Sequence, residues 1–279
     1  MPIFNYGDIN INYEKKGKGE PLILIQGWAT TLDGWTFQIP YFRRKMMVIA
    51  LDNRGIGGSS RPSYPYTMDM FVDETKALID SLGIQQKIHL CGISMGGMIA
   101  QNYVLKHSNM VKSLILLSTT PYYRDEFALP IMEEYREIMQ DLDLKEGFKR
   151  KLNLLFSESF IRRVNEDEIL RNTLYDTLMI KSASNATWQD LENRGTAVNE
   201  HDTRSTLQKV TQPTLIIHGT EDKFIPIEDA HLLDKLIPNS KLITLEGFGH
   251  GSILIEDAER VNNLIWDFIK ENMERKIST

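Results

Sequence analysis

Short, largely apolar runs alternate with amphipathic stretches through most of the chain. Such runs are typical of strands buried on both faces, and they occur at 22–25, 46–51, 87–91, 113–117, 214–218 and 241–245. Residues 9–13 alternate apolar and polar side chains, which indicates a half-buried strand. Helical spacing of apolar residues is found at 34–43, 68–82, 95–107 and 257–275. This alternation predicts an α/β fold with right-handed crossovers and a mostly parallel sheet.

The alternation stops after Pro121 and resumes after Pro213. The intervening chain is charged and has no comparable strand, and helices are predicted within it at 132–140, 147–156 and 166–180. We therefore predict one core domain with an insertion: core at 1–121, a helical cap at 122–205, and core again at 206–279. The cap is expected to cover the carboxyl edge of the sheet.

A G-x-S-x-G sequence, Gly92-Ile93-Ser94-Met95-Gly96, directly follows one predicted strand. A strand that turns this sharply into a helix leaves room only for glycine on either side of the serine, and it lifts the hydroxyl above the edge of the sheet. A serine hydroxyl is a poor nucleophile until an imidazole accepts its proton, and a carboxylate fixes the tautomer of that imidazole. We interpret Ser94 as a nucleophile; the alternative is a small residue in a tight turn.

An acid and a histidine should follow later strands, in the order serine, acid, histidine. One strand leads into a glycine turn that ends at Asp222, and the last strand leads into a glycine-rich loop with His250. We predict Asp222 as the acid, with the adjacent Glu221 as the alternative. The rival position for the acid, residues 118–120, holds no carboxylate.

The chain has six histidines, and only His250 lies between glycines after the last strand. His250 is therefore the predicted general base. His89 lies within a strand and is predicted to pack in the core, whereas His218 could form structural hydrogen bonds at a strand end. His201 and His231 lie in polar segments and are predicted at the surface.

Two backbone N–H groups are needed to stabilise the oxyanion that forms when a serine attacks a carbonyl. The amide of Met95 begins a predicted helix, where amides lack intrahelical partners and the dipole favours negative charge. The second donor is predicted to be the Trp28 amide, after Gln26-Gly27 at a strand end; the alternative is an ordinary glycine turn. Trp28, Phe224 and Phe248 flank these positions and are predicted either to line an apolar pocket or only to pack.

Composition narrows the class of partner. A net charge of −6 argues against nucleic acid or an anionic membrane surface as the main partner. No apolar run reaches the roughly 18 residues that span a bilayer, and the amino terminus lacks the pattern of a secretion signal. Cys91 is the one cysteine, which excludes an internal disulfide and a cysteine-rich metal site. We predict a cytoplasmic protein without a metal site; the sequence does not predict its oligomeric state.

The chain resembles the α/β-hydrolase fold superfamily over essentially its whole length, above all the small cap-bearing serine carboxylesterases and enol-lactonases. The motifs that carry the resemblance are Gly92–Gly97, His218–Asp222, Gly249-His250 and Asp52–Ser59. The resemblance implies a central eight-stranded, mostly parallel sheet, hydrolysis of an ester-like bond in a small molecule, and no cofactor. Relatives that open epoxides or remove halides use an aspartate nucleophile, so the serine at position 94 argues against both activities.

The predicted reaction is the hydrolysis of small to medium carboxylic esters through an acyl-enzyme. The same residues on this fold can hydrolyse lactones or carbon–carbon bonds or support perhydrolysis, and a ligand sensor with a slow hydrolase pocket is a further alternative. Many relatives have His-Gly where this chain has Gln26-Gly27. The amide of Gln26, which can donate and accept, is expected to orient this loop instead.

Overall fold

The structure is a computed structural model that describes residues 1–140, 143–181 and 186–274. Within these residues eight strands form one sheet, in the order β1-β2-β4-β3-β5-β6-β7-β8. The strands are β1 (Ile3–Tyr6), β2 (Ile9–Lys16), β3 (Pro21–Ile25), β4 (Met47–Leu51), β5 (Ile88–Ile93), β6 (Val111–Leu117), β7 (Thr214–Gly219) and β8 (Ser240–Leu245). β2 pairs antiparallel with β1 and β4, and all other pairs are parallel. The predicted eight-stranded, mostly parallel sheet is confirmed.

Helices connect the strands and cover both faces of the sheet. The described α-helices are α1 (Gln38–Phe42), α2 (Met68–Ser81), α3 (Met95–Lys106), α4 (Asp125–Gln140), α5 (Leu144–Leu155), α6 (Glu158–Glu166), α7 (Glu168–Tyr175), α8 (Trp188–Asn199), α9 (Ile227–Leu236), α10 (Ser252–Ile255) and α11 (Ala258–Glu274). A π-helical segment, Asp176–Lys181, continues α7. No helix in the described parts of the chain has both the length and the apolar character needed to cross a membrane.

Several elements differ from the pattern-based prediction. The helix predicted at 34–43 is instead a 3₁₀ turn at Leu32–Trp35 followed by α1 at Gln38–Phe42. β1 was not predicted, because this short edge strand is mostly exposed and therefore has little apolar signal. α4 begins earlier than predicted, at Asp125. The single helix predicted at 166–180 is interrupted at Asp167, whose side chain accepts a hydrogen bond from the Leu170 amide and so caps a new helix. The predicted last residue of the final helix, 275, lies outside the described residues.

The core consists of two apolar layers, one on each face of the sheet. Ile23 and Ile25 of β3 pack with residues of α2, α3 and α9, whereas Leu22 and Leu24 pack with residues of α1 and α11. Both faces of the central strands are therefore apolar, which explains their continuous hydrophobic sequence. This packing fixes the carboxyl ends of β3, β5, β7 and β8 along one edge of the sheet.

The chain between β6 and β7 carries α4 to α8 and has a small apolar core of its own. That core includes Phe148, Leu152, Phe156, Phe160 and Val164. The carbonyl of Leu155, at the end of α5, accepts a hydrogen bond from the Gly251 amide at 2.8 Å, so α5 is joined to the loop after β8. The proposed limits of a separate cap, 122 and 205, stay a prediction.

Candidate active site

Ser94 lies in the sharp turn between β5 and α3. Its φ of 55° and ψ of −125° lie outside the conformations that non-glycine residues usually adopt. The flanking glycines are required sterically. A Cβ on Gly92 would lie 2.1 Å from the carbonyl oxygen of Gly96, and a Cβ on Gly96 would lie 2.1 Å from that of Ile25. This turn can therefore form only with glycine on both sides of the serine.

The backbone of Ser94 is held by the neighbouring strand and by the loop after it. Its N–H donates to the carbonyl of Leu117 at 3.0 Å, and its own carbonyl accepts from Oγ1 of Thr119 at 2.8 Å. A Cβ on Gly97 would lie 2.6 Å from the Thr119 side chain, so α3 packs closely on the same loop. These contacts keep the strained serine in one position.

Asp222 and His250 are joined by a hydrogen bond. Nδ1 of His250 donates to Oδ2 of Asp222 at 2.8 Å, and the Asp222 side chain is fully buried. The other oxygen, Oδ1, accepts from the amides of Phe224 and Ile225 at 2.9 Å each. Because Nδ1 carries the shared proton, Nε2 is the basic nitrogen of the neutral ring. The adjacent carboxylate, Glu221, is exposed.

The environment of Asp222 keeps its carboxylate ionised. Burial alone would raise the pKa of Asp222, but the charge and hydrogen bond of His250 and the nearby charge of His218 hold that pKa below its ordinary value. Nε2 of His218 lies 3.5 Å from Oδ2 of Asp222 and donates to the carbonyl of Ile225 at 2.9 Å. His218 is therefore a buried structural partner of this loop.

An aromatic ring fixes the plane of the His250 imidazole. The rings of Phe224 and His250 stack with centroids 4.5 Å apart and an angle of 17° between planes. Phe224 also lines the cavity next to His250, whereas Phe248 is not among the described residues that line it. Phe248 instead packs in the core with Leu245 and Ile253, because its side chain faces the α11 side of the sheet. The pocket role predicted for Phe248 therefore has no support in this geometry.

Ser94, His250 and Trp28 line one cavity of about 200 Å³. Core elements and the β6–β7 segment both contribute to its wall. Most lining side chains are apolar, among them Met98, Met132, Tyr135, Leu155, Phe156 and Val198. Three charged side chains also reach it: Arg124, Lys151 and Asp229.

Two residues that line this cavity, Trp28 and Met95, have backbone amides without partners in the described chain. A Cβ on Gly27 would lie 3.2 Å from Cβ and 3.6 Å from Oγ of Ser94, so the loop after β3 passes directly beside the serine. The N–H groups of Trp28, in that loop, and of Met95, at the start of α3, have no hydrogen-bond partner among the described residues. Unpaired backbone donors near a hydroxyl can bind an anionic oxygen.

Gln26 contacts its own loop. Its Oε1 accepts from the Gly27 amide at 3.3 Å, and its carbonyl accepts from Nδ2 of Asn53 at 3.1 Å. Nε2 of Gln26 is buried and has no hydrogen-bond partner within the described chain. The expected contact between the Gln26 amide and this loop is thus present through Oε1.

Sequence reasoning missed Arg194, on α8. Its guanidinium donates to the carbonyls of Gly27 at 2.9 Å, Trp28 at 2.6 Å and Arg54 at 2.7 Å. The side chain is fully buried, and burial lowers the pKa of Arg194 to about 10, which keeps it charged at neutral pH. An arginine in a charged helix carries no signal for this role, since the contacts are made by residues distant in sequence.

Two other histidines lie away from the cavity. His89 is buried in the core, as predicted. The surface position predicted for His201 is wrong, because His201 is only 3% exposed. Its Nδ1 accepts from Nδ2 of Asn102 and its Nε2 donates to the carbonyl of Thr120, both at 3.2 Å. Tertiary packing thus covers a residue that lies in a polar stretch of sequence.

No group of three or more His, Cys, Asp or Glu side chains in the described residues is arranged to hold a metal ion.

Comparisons with known proteins agree with this architecture. The family model described as "alpha/beta hydrolase fold" matches residues 20–257. The chain is 30% identical over 263 residues to the AB hydrolase superfamily protein YisY of Bacillus subtilis, covering 93% of this chain and 95% of that protein. It is 28% identical to a 2-hydroxy-6-oxo-6-(2'-aminophenyl)hexa-2,4-dienoic acid hydrolase of Metapseudomonas resinovorans, covering 97% of this chain and 91% of that protein. A thermophilic esterase from Thermogutta terrifontis superposes with a TM-score of 0.78 at 25% identity, covering 95% and 94% of the two chains.

Proposed function

Because the chain belongs to the α/β-hydrolase fold family, we propose that it is a serine hydrolase that cleaves carboxylic esters of small to medium size. The observation that carries the proposal is the hydrogen bond of 2.8 Å between His250 and the buried Asp222, in a loop that borders the same cavity as Ser94. A carboxylate, an imidazole and a strained serine are the groups that acyl transfer through a serine requires.

In the first step, Oγ of Ser94 attacks the carbonyl carbon of the ester, and Nε2 of His250 accepts the hydroxyl proton. Asp222 holds Nδ1 in the protonated tautomer and stabilises the imidazolium that forms. Its two bonds from the amides of Phe224 and Ile225 keep the carboxylate directed at the ring. The stacked ring of Phe224 limits rotation of the imidazole.

The tetrahedral intermediate carries a negative oxygen that needs donors in place before the reaction. The amides of Trp28 and Met95 are suited to this role, since both are unpaired within the described chain and both residues line the cavity together with Ser94. The positive end of the α3 dipole adds to the stabilisation at Met95.

To complete acylation, the imidazolium of His250 protonates the alcohol oxygen and the C–O bond of the ester breaks, which releases the alcohol and leaves the acyl group on Ser94. Water then enters, His250 removes its proton, and the hydroxide attacks the acyl-enzyme carbonyl. Collapse of this second intermediate returns the proton to Ser94 and releases the acid. The mostly apolar cavity wall favours a substrate whose chain is apolar next to the scissile bond.

A second candidate reaction uses the same residues on a different bond. The relative from Metapseudomonas resinovorans is by name a hydrolase of a dienoic acid, which favours testing carbon–carbon substrates. Another relative, from Acinetobacter baylyi, is by name a 3-oxoadipate enol-lactonase, which favours testing lactones. In each case a proton is moved by His250 and a carbonyl is held by the two amides. A panel of nitrophenyl esters, lactones and vinylogous diketones separates these reactions by their relative kcat/KM.

The proposal is tested by replacing Ser94 with alanine. We expect Ser94→Ala to lower kcat for 4-nitrophenyl butyrate by about 10³-fold or more, while some binding is retained. The exposed Ser205 provides the matched control, and Ser205→Ala should keep the wild-type rate. Full activity in Ser94→Ala would refute the assignment of the nucleophile.

A further inference from the structure

Lys151, on α5, is buried in the wall of the cavity. The residue is only 3% exposed, and its Nζ donates to the carbonyl of Leu178 at 3.1 Å. The same Nζ lies 5.1 Å from the centre of the Tyr135 ring. Lys151, Leu178 and Tyr135 all line the cavity, so the ammonium group lies at its wall rather than in bulk solvent.

No carboxylate of the described residues lies within 4.0 Å of this ammonium group. The acidic side chains near α5 contact its other cations: Glu146 pairs with Lys149, and Glu134 and Glu137 pair with Arg150. An ammonium group has three donors, and one carbonyl satisfies only one of them. A buried cation that lacks an anionic partner is costly, and an anion that enters the cavity would offset this cost.

The two other charges at the cavity do not supply that anion. The carboxylate of Asp229 forms an ion pair with Arg124. The side chain of Asp229 is almost fully buried, so the Arg124–Asp229 ion pair has a fixed position in the cavity wall. Among the lysine and arginine side chains known to line the cavity, Lys151 is therefore the one without a carboxylate partner in the described chain.

The position of Lys151 relates it to the loop beside Ser94. Tyr135 is near both: the centre of its ring is 5.6 Å from that of the Trp28 ring and 5.1 Å from Nζ of Lys151. A molecule whose carbonyl sits at the Trp28 amide could thus reach the ammonium group with a short carbon chain. Most side chains that line the cavity are apolar, which suits the methylene groups of such a chain.

From this geometry we infer that Lys151 binds a carboxylate of the substrate. The substrate class is a carboxylate-bearing ester, such as a monoester of a dicarboxylic acid, in which a short apolar chain separates the carboxylate from the scissile carbonyl. The reaction at that carbonyl rests on the function proposed above, whereas the binding of the carboxylate does not.

The first test compares two substrates of nearly equal shape. Monoethyl adipate carries a carboxylate where ethyl hexanoate carries a methyl group, and proton release reports the hydrolysis of both. We expect the wild-type protein to prefer monoethyl adipate by at least about 10-fold in kcat/KM. In Lys151→Met the ratio of the two kcat/KM values should fall at least about 10-fold, and Lys151→Arg should keep most of the preference. A wild-type ratio of one or less would overturn the inference without any variant.

Lys149 is the matched control. It lies on the same helix but is 70% exposed, so Lys149→Met removes the same charge outside the cavity. We expect this variant to keep the wild-type ratio. If the ratio of the two kcat/KM values fell equally in Lys149→Met and Lys151→Met, the preference would depend only on the net charge of the protein. That result would overturn the inference.

The second test separates carboxylate binding from catalysis. Calorimetry measures the binding of adipate to Ser94→Ala and to Ser94→Ala/Lys151→Met, both after thermal denaturation has shown them to be folded. We expect the double variant to bind at least 10-fold more weakly. Lys151-dependent adipate binding without any ester hydrolysis would refute the proposed function and support this inference. Hydrolysis of ethyl hexanoate without Lys151-dependent binding of adipate would support the proposed function and refute this inference.

Discussion

Nε of Arg194 donates a hydrogen bond to the carbonyl oxygen of Trp28 at 2.6 Å. Helix α8 thereby holds the loop whose Trp28 amide is proposed to bind the oxyanion. The same guanidinium reaches the carbonyls of Gly27 and Arg54, so one side chain fixes two loops of the core. A change in α8 should therefore alter catalysis through the position of the loop.

We expect Arg194→Met to lower the free energy of unfolding by about 3 kcal/mol or more, because several buried carbonyls lose their donor. If the fold survives, kcat should fall about 100-fold with a smaller change in KM, since the displaced amide is the one proposed to stabilise the transition state. Arg194→Lys should recover only part of both losses, because an ammonium cannot bind three carbonyls in the plane of a guanidinium.

Denaturant titration and steady-state kinetics with 4-nitrophenyl butyrate measure these effects. Arg162, which is exposed on α6, serves as the control, and Arg162→Met should change the free energy of unfolding by less than about 0.5 kcal/mol. A stable Arg194→Met protein with wild-type kcat would show that the loop does not depend on this contact.

Substitution by alanine should have opposite effects at two glycines, one in the turn at Ser94 and one in α5. A Cβ on Gly96 would lie 2.1 Å from the carbonyl oxygen of Ile25, so Gly96→Ala should cost about 3 kcal/mol or more. A Cβ on Gly147, within α5, would have an ordinary contact of 3.5 Å with Met179. Gly147→Ala should therefore stabilise the protein by about 0.5–1 kcal/mol. Thermal unfolding decides, and a stable Gly96→Ala protein would contradict the steric argument.

The two neighbouring carboxylates after β7 should differ sharply in their effect on rate. Asp222→Asn is expected to lower kcat by about 10³–10⁴-fold, because the amide no longer favours the tautomer with Nε2 free. Glu221 is exposed, and Glu221→Gln should retain the wild-type kcat. The comparison uses the same ester at a fixed pH near neutrality. A larger loss of kcat in Glu221→Gln than in Asp222→Asn would show that the acid is Glu221 and not Asp222.

His201 predicts a pH dependence of stability. Burial lowers its pKa from 6.5 to about 4, and its Nδ1 already accepts a hydrogen bond from Asn102. Between pH 6.5 and about pH 4, His201 is protonated in the unfolded chain but not in the folded protein. The contribution of His201 to the free energy of unfolding is therefore fully present above pH 6.5 and is lost as the pH falls to about 4. The total loss over this range is roughly 3 kcal/mol.

Denaturant titrations of the wild-type protein and His201→Asn at several pH values test this expectation. The stability difference between them should narrow as the pH falls from 6.5 towards 4. His231 is exposed, and His231→Asn should leave the pH profile of the wild type unchanged. A gap that stays constant with pH would show that His201 is not held neutral.

The sheet was predictable because its central strands are buried on both faces and so are continuously apolar. The turn at Ser94 was predictable because its geometry admits only glycine beside the serine. The strand β1 escaped detection because it is an exposed edge strand. The roles of Arg194 and Lys151 could not be predicted, since each depends on carbonyls or rings brought near by tertiary packing. The buried position of His201 was missed for the same reason.

Within the site, the sequence located the loops better than it predicted the packing around them. The loops with Asp222 and His250 could be located from the glycines that follow each strand. The side on which Phe248 packs depends on the turn of its loop, which no pattern of apolar residues specifies. A cytoplasmic location and the absence of a nucleic-acid partner stay predictions from composition.

The central claim is that Ser94, in the wall of the cavity, becomes a nucleophile through His250. Reaction of the protein with a fluorophosphonate, followed by mass spectrometry of its peptides, tests this claim most directly. We predict one phosphonyl group per chain, attached to Ser94, and a rate of labelling at least about 100-fold lower in His250→Ala. Labelling of another residue, or labelling of Ser94 at the same rate without the imidazole, would contradict the account.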